Sequence, residues 1–116
     1  MAFERAASVD DLPAERGLCV TLGGIAIGLF RAGDEVHAME NTCPHAGAPL
    51  HKGTVRNGIV TCPAHGWAYN VRTGFAADNA DGFPLPCFAT KITDGDIWID
   101  VENPINLSPA SDRQRT

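Results

Sequence analysis

Two short segments of the sequence each combine a cysteine with a histidine, and these residue types bind transition metals. The first segment is Cys43-Pro44-His45 and the second is Cys62-Pro63-Ala64-His65, with sixteen residues between them. Thiolates and imidazoles suit zinc or iron–sulfur clusters, whereas magnesium and calcium prefer oxygen ligands. The candidate metal ligands are therefore Cys43, His45, Cys62 and His65.

The way the ligand types are divided between the two segments bears on which metal they bind. Zinc sites with two cysteines and two histidines usually keep the cysteines in one segment and the histidines in the other. Here each segment supplies one of each. That division suits two irons with different ligands, with both cysteines on one iron and both histidines on the other. A zinc ion that staples two loops of a binding module without redox activity is the alternative.

The segments around these residues carry the turn signals of an all-β protein. Gly23-Gly24, Asn57-Gly58 and Asp94-Gly95 each separate two short apolar runs, and such pairs accept the positive φ of tight hairpins. One helical turn is expected at residues 8–12, capped by Ser8. We expect strands at Leu18–Leu22, Ile25–Arg31, Val36–Asn41, Thr54–Arg56, Ile59–Thr61, Phe88–Thr93 and Asp96–Val101. Because proline interrupts a strand, both Cys–His segments are expected in loops between strands.

Length and composition limit the class of protein. The chain has 116 residues, of which 44% are hydrophobic and 20% charged, as in one small globular domain. A net charge of −5 disfavours nucleic acid and anionic membranes as partners. The longest apolar run, Gly23–Phe30, is too short to span a membrane, and the N-terminus lacks a signal-peptide pattern. We expect a soluble, cytoplasmic monomer.

The two Cys–His boxes resemble those of the Rieske [2Fe–2S] proteins, and the resemblance extends over roughly residues 3–101. Gly47 after the first box, and Gly66, Trp67 and Tyr69 after the second, also fit that family. The resemblance implies that these four residues surround the cofactor and that Tyr69 donates to a cysteine sulfur.

The same resemblance implies how one [2Fe–2S] cluster is bound. Cys43 and Cys62 would bind the inner iron, and His45 and His65 would bind the outer iron.

The resemblance also implies a fold and its boundaries. We expect an all-β, Rieske-type antiparallel β-sandwich over residues 1–102. A cluster-binding subdomain would be inserted at about residues 41–75, and residues 103–116 would form a polar C-terminal tail.

Within this family, the sequence is similar to soluble ferredoxins rather than to respiratory subunits. Respiratory Rieske proteins join their two loops by a disulfide, and the corresponding positions here are Ala48 and Ala64. The similarity implies an electron carrier that is not itself an enzyme. It would pass single electrons from a flavin-dependent reductase to a terminal aromatic-ring oxygenase. The small subunit of an NAD(P)H-dependent nitrite reductase is an alternative with a similar fold.

Four residues near or outside the boxes are not expected to bind the metal themselves. Cys19 and Cys87 are expected to be buried, reduced thiols. His51 is expected to be an exposed loop residue rather than a fifth ligand. Trp67 is expected to pack the second loop against a sheet rather than to conduct electrons.

Overall fold

The computed structural model describes residues 3–42, 49–63, 66–77, 85–102 and 104–105. In these residues all strand pairs are antiparallel, and the helical segments are the single 3₁₀ turns Val9–Asp11 and Leu50–Lys52. The strands are β1 (Phe3–Ser8), β2 (Leu18–Leu22), β3 (Ile25–Ala32), β4 (Glu35–Glu40), β5 (Thr54–Arg56), β6 (Ile59–Thr61), β7 (Ala68–Asn70), β8 (Cys87–Thr93) and β9 (Asp96–Asp100). The predicted all-β antiparallel class is confirmed.

The strands form two sheets of different size. The larger sheet has six strands in the order β1-β9-β8-β4-β3-β2, and the smaller has three in the order β5-β6-β7. The edge strands β1 and β2 of the larger sheet contact each other, so this sheet curves into a near-barrel. Neither of the short helical turns in the described part of the chain is long and apolar enough to cross a membrane.

Strand β3 is buried on both faces because it lies between two apolar cores. Ile27 and Leu29 point into the barrel, where they join the core that contains Ile97 and Ile99. Phe30 points the other way, into a second core that the larger sheet shares with the smaller one. Alternation along the strand explains this division, since successive side chains point to opposite faces. Phe30 thus packs between the large sheet and the small one.

The hairpin turns follow the predicted sequence signals. Asn57 and Gly58 have φ of 51° and 77°, and Asp94 and Gly95 have φ of 54° and 80°. Positive φ at both central residues gives a turn whose twist matches that of the flanking strands. The predicted helical turn is also present, with the Ser8 side chain accepting a hydrogen bond from the Asp10 N–H at 3.3 Å.

Two strands lie outside the sequence-based predictions. Strand β1 contains only Phe, Glu, Arg, Ala and Ser, so its strand propensity is low, and it forms through pairing with β9. Strand β7 is three residues long and pairs with β6. After β7, Ala76 forms a bridge with Tyr69, and residues 78–84 lie outside the described part. The boundaries at residues 41–75 and 103–116 remain predictions.

The two cysteines outside the boxes differ in burial. No disulfide joins the described cysteines. Cys87 is buried, as expected, and its Sγ donates to the Leu85 carbonyl at 3.6 Å. Cys19 is a free thiol, as expected, but it is only half-buried, so its predicted burial was wrong. It lies on edge strand β2 and alternates with Leu18 and Val20, which pack on the core, so its own side chain faces outward.

Two isoleucines of the β8–β9 hairpin provide a matched test of the barrel core. Ile99→Ala is expected to lower the free energy of unfolding by about 2–5 kcal/mol, because Ile99 is fully buried and its truncation leaves a cavity. Ile92→Ala is expected to change it by less than about 0.5 kcal/mol, since Ile92 is 48% exposed. Chemical denaturation measures both changes, and equal losses would contradict the packing described.

Alkylation distinguishes the thiols of Cys19 and Cys87. Burial raises the pKa of the Cys87 thiol to about 11, so at pH 8 it remains protonated and unreactive. We expect iodoacetamide at pH 8 to label Cys19 in the folded protein and to label Cys87 only after unfolding. Peptide mass spectrometry at timed intervals measures this order, and rapid labelling of Cys87 in folded protein would contradict it.

Candidate metal centre

The structure describes half of the predicted site residues. Those described are Cys62, Gly66, Trp67 and Tyr69. Those outside the described residues are Cys43, His45, Gly47 and His65. Three of the four predicted ligands are in the second set. Accordingly, no cluster of three or more His, Cys, Asp or Glu side chains suited to a metal occurs among the residues that the structure describes.

The second ligand segment begins where β6 ends and closes into a tight loop. The Cys62 N–H donates to the Trp67 carbonyl at 2.6 Å, and the Gly66 N–H donates to the Cys62 carbonyl at 3.1 Å. Gly66 has a φ of 76°, in the left-handed region where glycine is unstrained. The positive φ explains why a glycine follows His65. The two hydrogen bonds close the loop, so the chain returns directly into β7.

Cys62 lies in the core shared by the two sheets. It is 1% exposed and belongs to the same cluster as Val60 and Tyr69, which face each other across the β6–β7 pair. Trp67 is partly buried and packs against this cluster, so its predicted packing role is confirmed. Cys62 and Tyr69 therefore lie in one core at the base of the second loop.

The first ligand segment starts and returns at one place on the larger sheet. Thr42, just after β4, forms a β-bridge with Pro49. The Leu50 N–H donates to the Asn41 carbonyl at 3.0 Å. The described residues on the two sides of positions 43–48 are therefore paired with each other.

His51 was expected to be an exposed loop residue, and that prediction was wrong. It is half-buried in the 3₁₀ turn Leu50–Lys52. Its N–H donates to Asn41 Oδ1 at 2.8 Å, and its Nδ1 lies 2.8 Å from Asn41 Nδ2. Burial, together with the nearby positive charge of Lys52, lowers the pKa of His51. Sequence reasoning missed Asn41 because a single asparagine after a strand carries no distinguishing pattern.

An exposed group of charged side chains joins the small sheet to β4. The Arg72 side chain, just after β7, donates to Glu35 Oε1 at 3.2 Å, and His37 Nε2 lies 2.9 Å from the same oxygen. Hydrogen bonds from His37 and Arg72 lower the pKa of the Glu35 carboxyl. Exposed ion pairs contribute little to stability. The main-chain bond from Val55 to the Glu15 carbonyl, at 2.8 Å, is a second attachment of the small sheet.

The chemistry of these residues fits an iron–sulfur cluster. The Cys62 side chain is in an apolar environment, where a thiolate needs a neighbouring positive charge to offset its burial. A coordinated metal supplies that charge. Because Cys62 follows directly on a paired strand and its loop is closed by two main-chain bonds, a ligand at this position is held in a fixed orientation, which metal sites obtain from the residues that surround their ligands.

Comparison with known proteins identifies the family. Residues 3–89 match the Rieske [2Fe-2S] domain. Ferredoxin CarAc of Metapseudomonas resinovorans is 35% identical over 78 residues, which are 67% of this chain and 73% of that protein. The ferredoxin component of biphenyl 2,3-dioxygenase from Rhodococcus jostii (strain RHA1) is 31% identical over 102 residues, 88% of this chain and 95% of that protein.

A solved structure gives the same result. It is a complex of reduced oxygenase and oxidized ferredoxin in carbazole 1,9a-dioxygenase, and one of its chains matches with a TM-score of 0.78. The sequence identity is 29%, and the match covers 89% of this chain and 96% of that chain. The present protein therefore belongs to the Rieske [2Fe–2S] family, whose domain binds a [2Fe–2S] cluster.

Proposed function

We propose that this protein is a ferredoxin that carries single electrons from a flavin-dependent reductase to a terminal aromatic-ring oxygenase. The observation that carries the proposal is its similarity to the ferredoxin component of a dioxygenase over 95% of that component's length. The match therefore extends over nearly the whole of that electron carrier.

We assign the four ligands from the Cys–His boxes. Cys43 and Cys62 bind the inner iron, and His45 and His65 bind the outer iron. The burial of Cys62 in the shared core supports its assignment to the inner iron. When bound, the cluster accepts and releases one electron, and two histidine ligands in place of cysteines raise its reduction potential.

The chain's own contribution is to hold the cluster rigidly and to limit access of water. The loop of Cys62 is closed by main-chain bonds, and Trp67 and Tyr69 pack beneath it. Because rigid surroundings change little when the cluster gains an electron, such packing favours rapid electron transfer. Electron transfer of this kind needs no acid–base group from the protein. We therefore assign no catalytic residue to this protein, and the oxygenation takes place on the partner.

We also propose that the protein works in the cytoplasm as a monomer. Cys19 is a free thiol, which supports a reducing compartment, since disulfides are rare there. The net charge of −5 supports a carrier that does not adhere to nucleic acid.

Substitution of one buried cysteine tests the ligand assignment. Cys62→Ser is expected to abolish the [2Fe–2S] absorption and the EPR signal of the reduced protein, because an alcohol is a poor ligand for iron at this position. Cys19→Ser is the matched control and is expected to retain both signals, since Cys19 lies on edge strand β2. Intact Rieske absorption in Cys62→Ser would contradict the assignment. A wild-type protein that is colourless and loaded with zinc would establish the zinc-stapled alternative.

Reconstituted electron transfer tests the function itself. We expect the reduced protein, mixed with a terminal aromatic-ring oxygenase and its substrate, to be reoxidised with one electron delivered per molecule. Stopped-flow absorption at the cluster band measures the rate, with the Cys62→Ser protein as the control that delivers none. Failure to reduce any oxygenase, together with activation of a nitrite reductase large subunit, would replace the proposal by the nitrite reductase alternative.

A further inference from the structure

We propose that the side chains of Asn41 and His51 form a hydrogen-bonded pair that positions the first ligand loop. The pair joins the residues on either side of residues 43–48. This inference rests on the proposed function, because it assumes that Cys43 and His45 are ligands. The two residues are positioning residues, since each acts on the ligands through the loop and not by binding iron.

Asn41 uses its main chain and its side chain to connect two elements. It is 3% exposed, and its N–H donates to the Ala26 carbonyl of β3 at 3.0 Å. Its carbonyl accepts from Leu50, and its side chain bonds twice with His51. An unsatisfied amide at this depth would be costly. Asn41 therefore holds the returning end of the loop against β3.

The hydrogen bonds define the orientation of both side chains. Because Asn41 Oδ1 accepts from the His51 main-chain N–H, Asn41 Nδ2 is the group that faces His51 Nδ1. Nδ2 is a donor, so Nδ1 must accept. His51 is thus a neutral imidazole with its proton on Nε2, and Nδ1 is occupied within the protein. This explains why a histidine so close to the first box need not be a ligand.

The pair is enclosed by close contacts that leave it little freedom. The Gly17 N–H donates to the His51 carbonyl at 3.1 Å. A Cβ on Gly28 would lie 2.7 Å from Asn41 Oδ1, and one on Gly17 would lie 3.0 Å from the His51 Cα. Both glycines therefore leave room for the pair. Such enclosure fixes where the loop leaves and rejoins the frame.

The position of the pair relative to the second loop is also fixed. Leu50, next to His51, is fully buried in the core that contains Cys62. The first loop is held at its base by Asn41 and His51, and the second begins at Cys62. A loss of the Asn41–His51 bond is therefore expected to alter how well the two loops hold one cluster, while leaving the core itself intact.

Two amide substitutions at position 51 separate this role from a general effect on stability. His51→Asn places an acceptor oxygen near the position of Nδ1, whereas His51→Gln places it one bond further out, near Nε2. We expect His51→Gln to release iron to a chelator about tenfold faster than the wild type, as for other supporting residues of metal sites. We expect His51→Asn to release iron within about twofold of the wild-type rate, since the hydrogen bond to Nδ2 is retained.

The control is His37→Ala, which removes the contact of another histidine with Glu35 at the start of β4, and it is expected to release iron at the wild-type rate. The EPR g-values of the reduced cluster are measured on every variant, because a purely structural role would lower the melting temperature without shifting them. Equal iron release and equal g-values in His51→Asn and His51→Gln would overturn the proposal, as would slower release in His51→Gln. All readouts use the isolated protein, so a normal cluster that fails to reduce an oxygenase would overturn only the proposed function.

Discussion

Phe30 lies between the two sheets, and its packing sets the distance between the segments that lead into the two ligand loops. Its side chain is fully buried in the core that also contains Leu50 and Cys62. Leu50 follows the first Cys–His box along the chain, and Cys62 begins the second. Protein interiors are packed as densely as organic crystals, so none of these side chains can shift alone. The segments that lead into the two loops therefore share one apolar core, and the Asn41–His51 pair and the main-chain bonds of Cys62 add polar contacts to it.

Two glycines make this contact possible. A Cβ at Gly17 would lie 2.5 Å from the nearest Phe30 ring atom, and a Cβ at Gly28 would lie 2.7 Å from the ring. Neither glycine has a positive φ, so the requirement is for space and not for backbone freedom. Both glycines lie beside Phe30 and beside the Asn41–His51 pair. Because neither has a side chain, they leave room for the Phe30 ring in the core and for the hydrogen-bonded pair at the base of the loop.

The sequence was informative where a local rule decides the structure. The Asn57-Gly58 and Asp94-Gly95 turns require positive φ at two successive residues, and few other residue pairs accept it. The Cys–His boxes were equally informative about chemistry, because soft ligands in this mixed order suit few metals.

Features that depend on contacts across the fold were not predictable. Strand β1 forms through pairing with β9, some ninety positions away, although its own residues have little preference for a strand. His51 was expected to be exposed, because the sequence does not show that the chain returns to Asn41 after the first box. Cys19 was expected to be buried, because the sequence does not show that β2 is an edge strand. Each error concerns which neighbour a residue meets, and a hydrophobic pattern does not contain that information.

The placement of Cys62 in an apolar core also bears on how a carrier of this size controls its electron. A cluster with two thiolates and two neutral imidazoles has no net charge when both irons are ferric, and one electron makes it −1. A charge in apolar surroundings is less stable than in water, so burial of the cysteine side lowers the tendency to accept the electron. Histidine ligands act in the opposite direction. With the ligands proposed above, the reduction potential would be a balance between the ligand set and the core around Phe30, which only the three-dimensional fold defines.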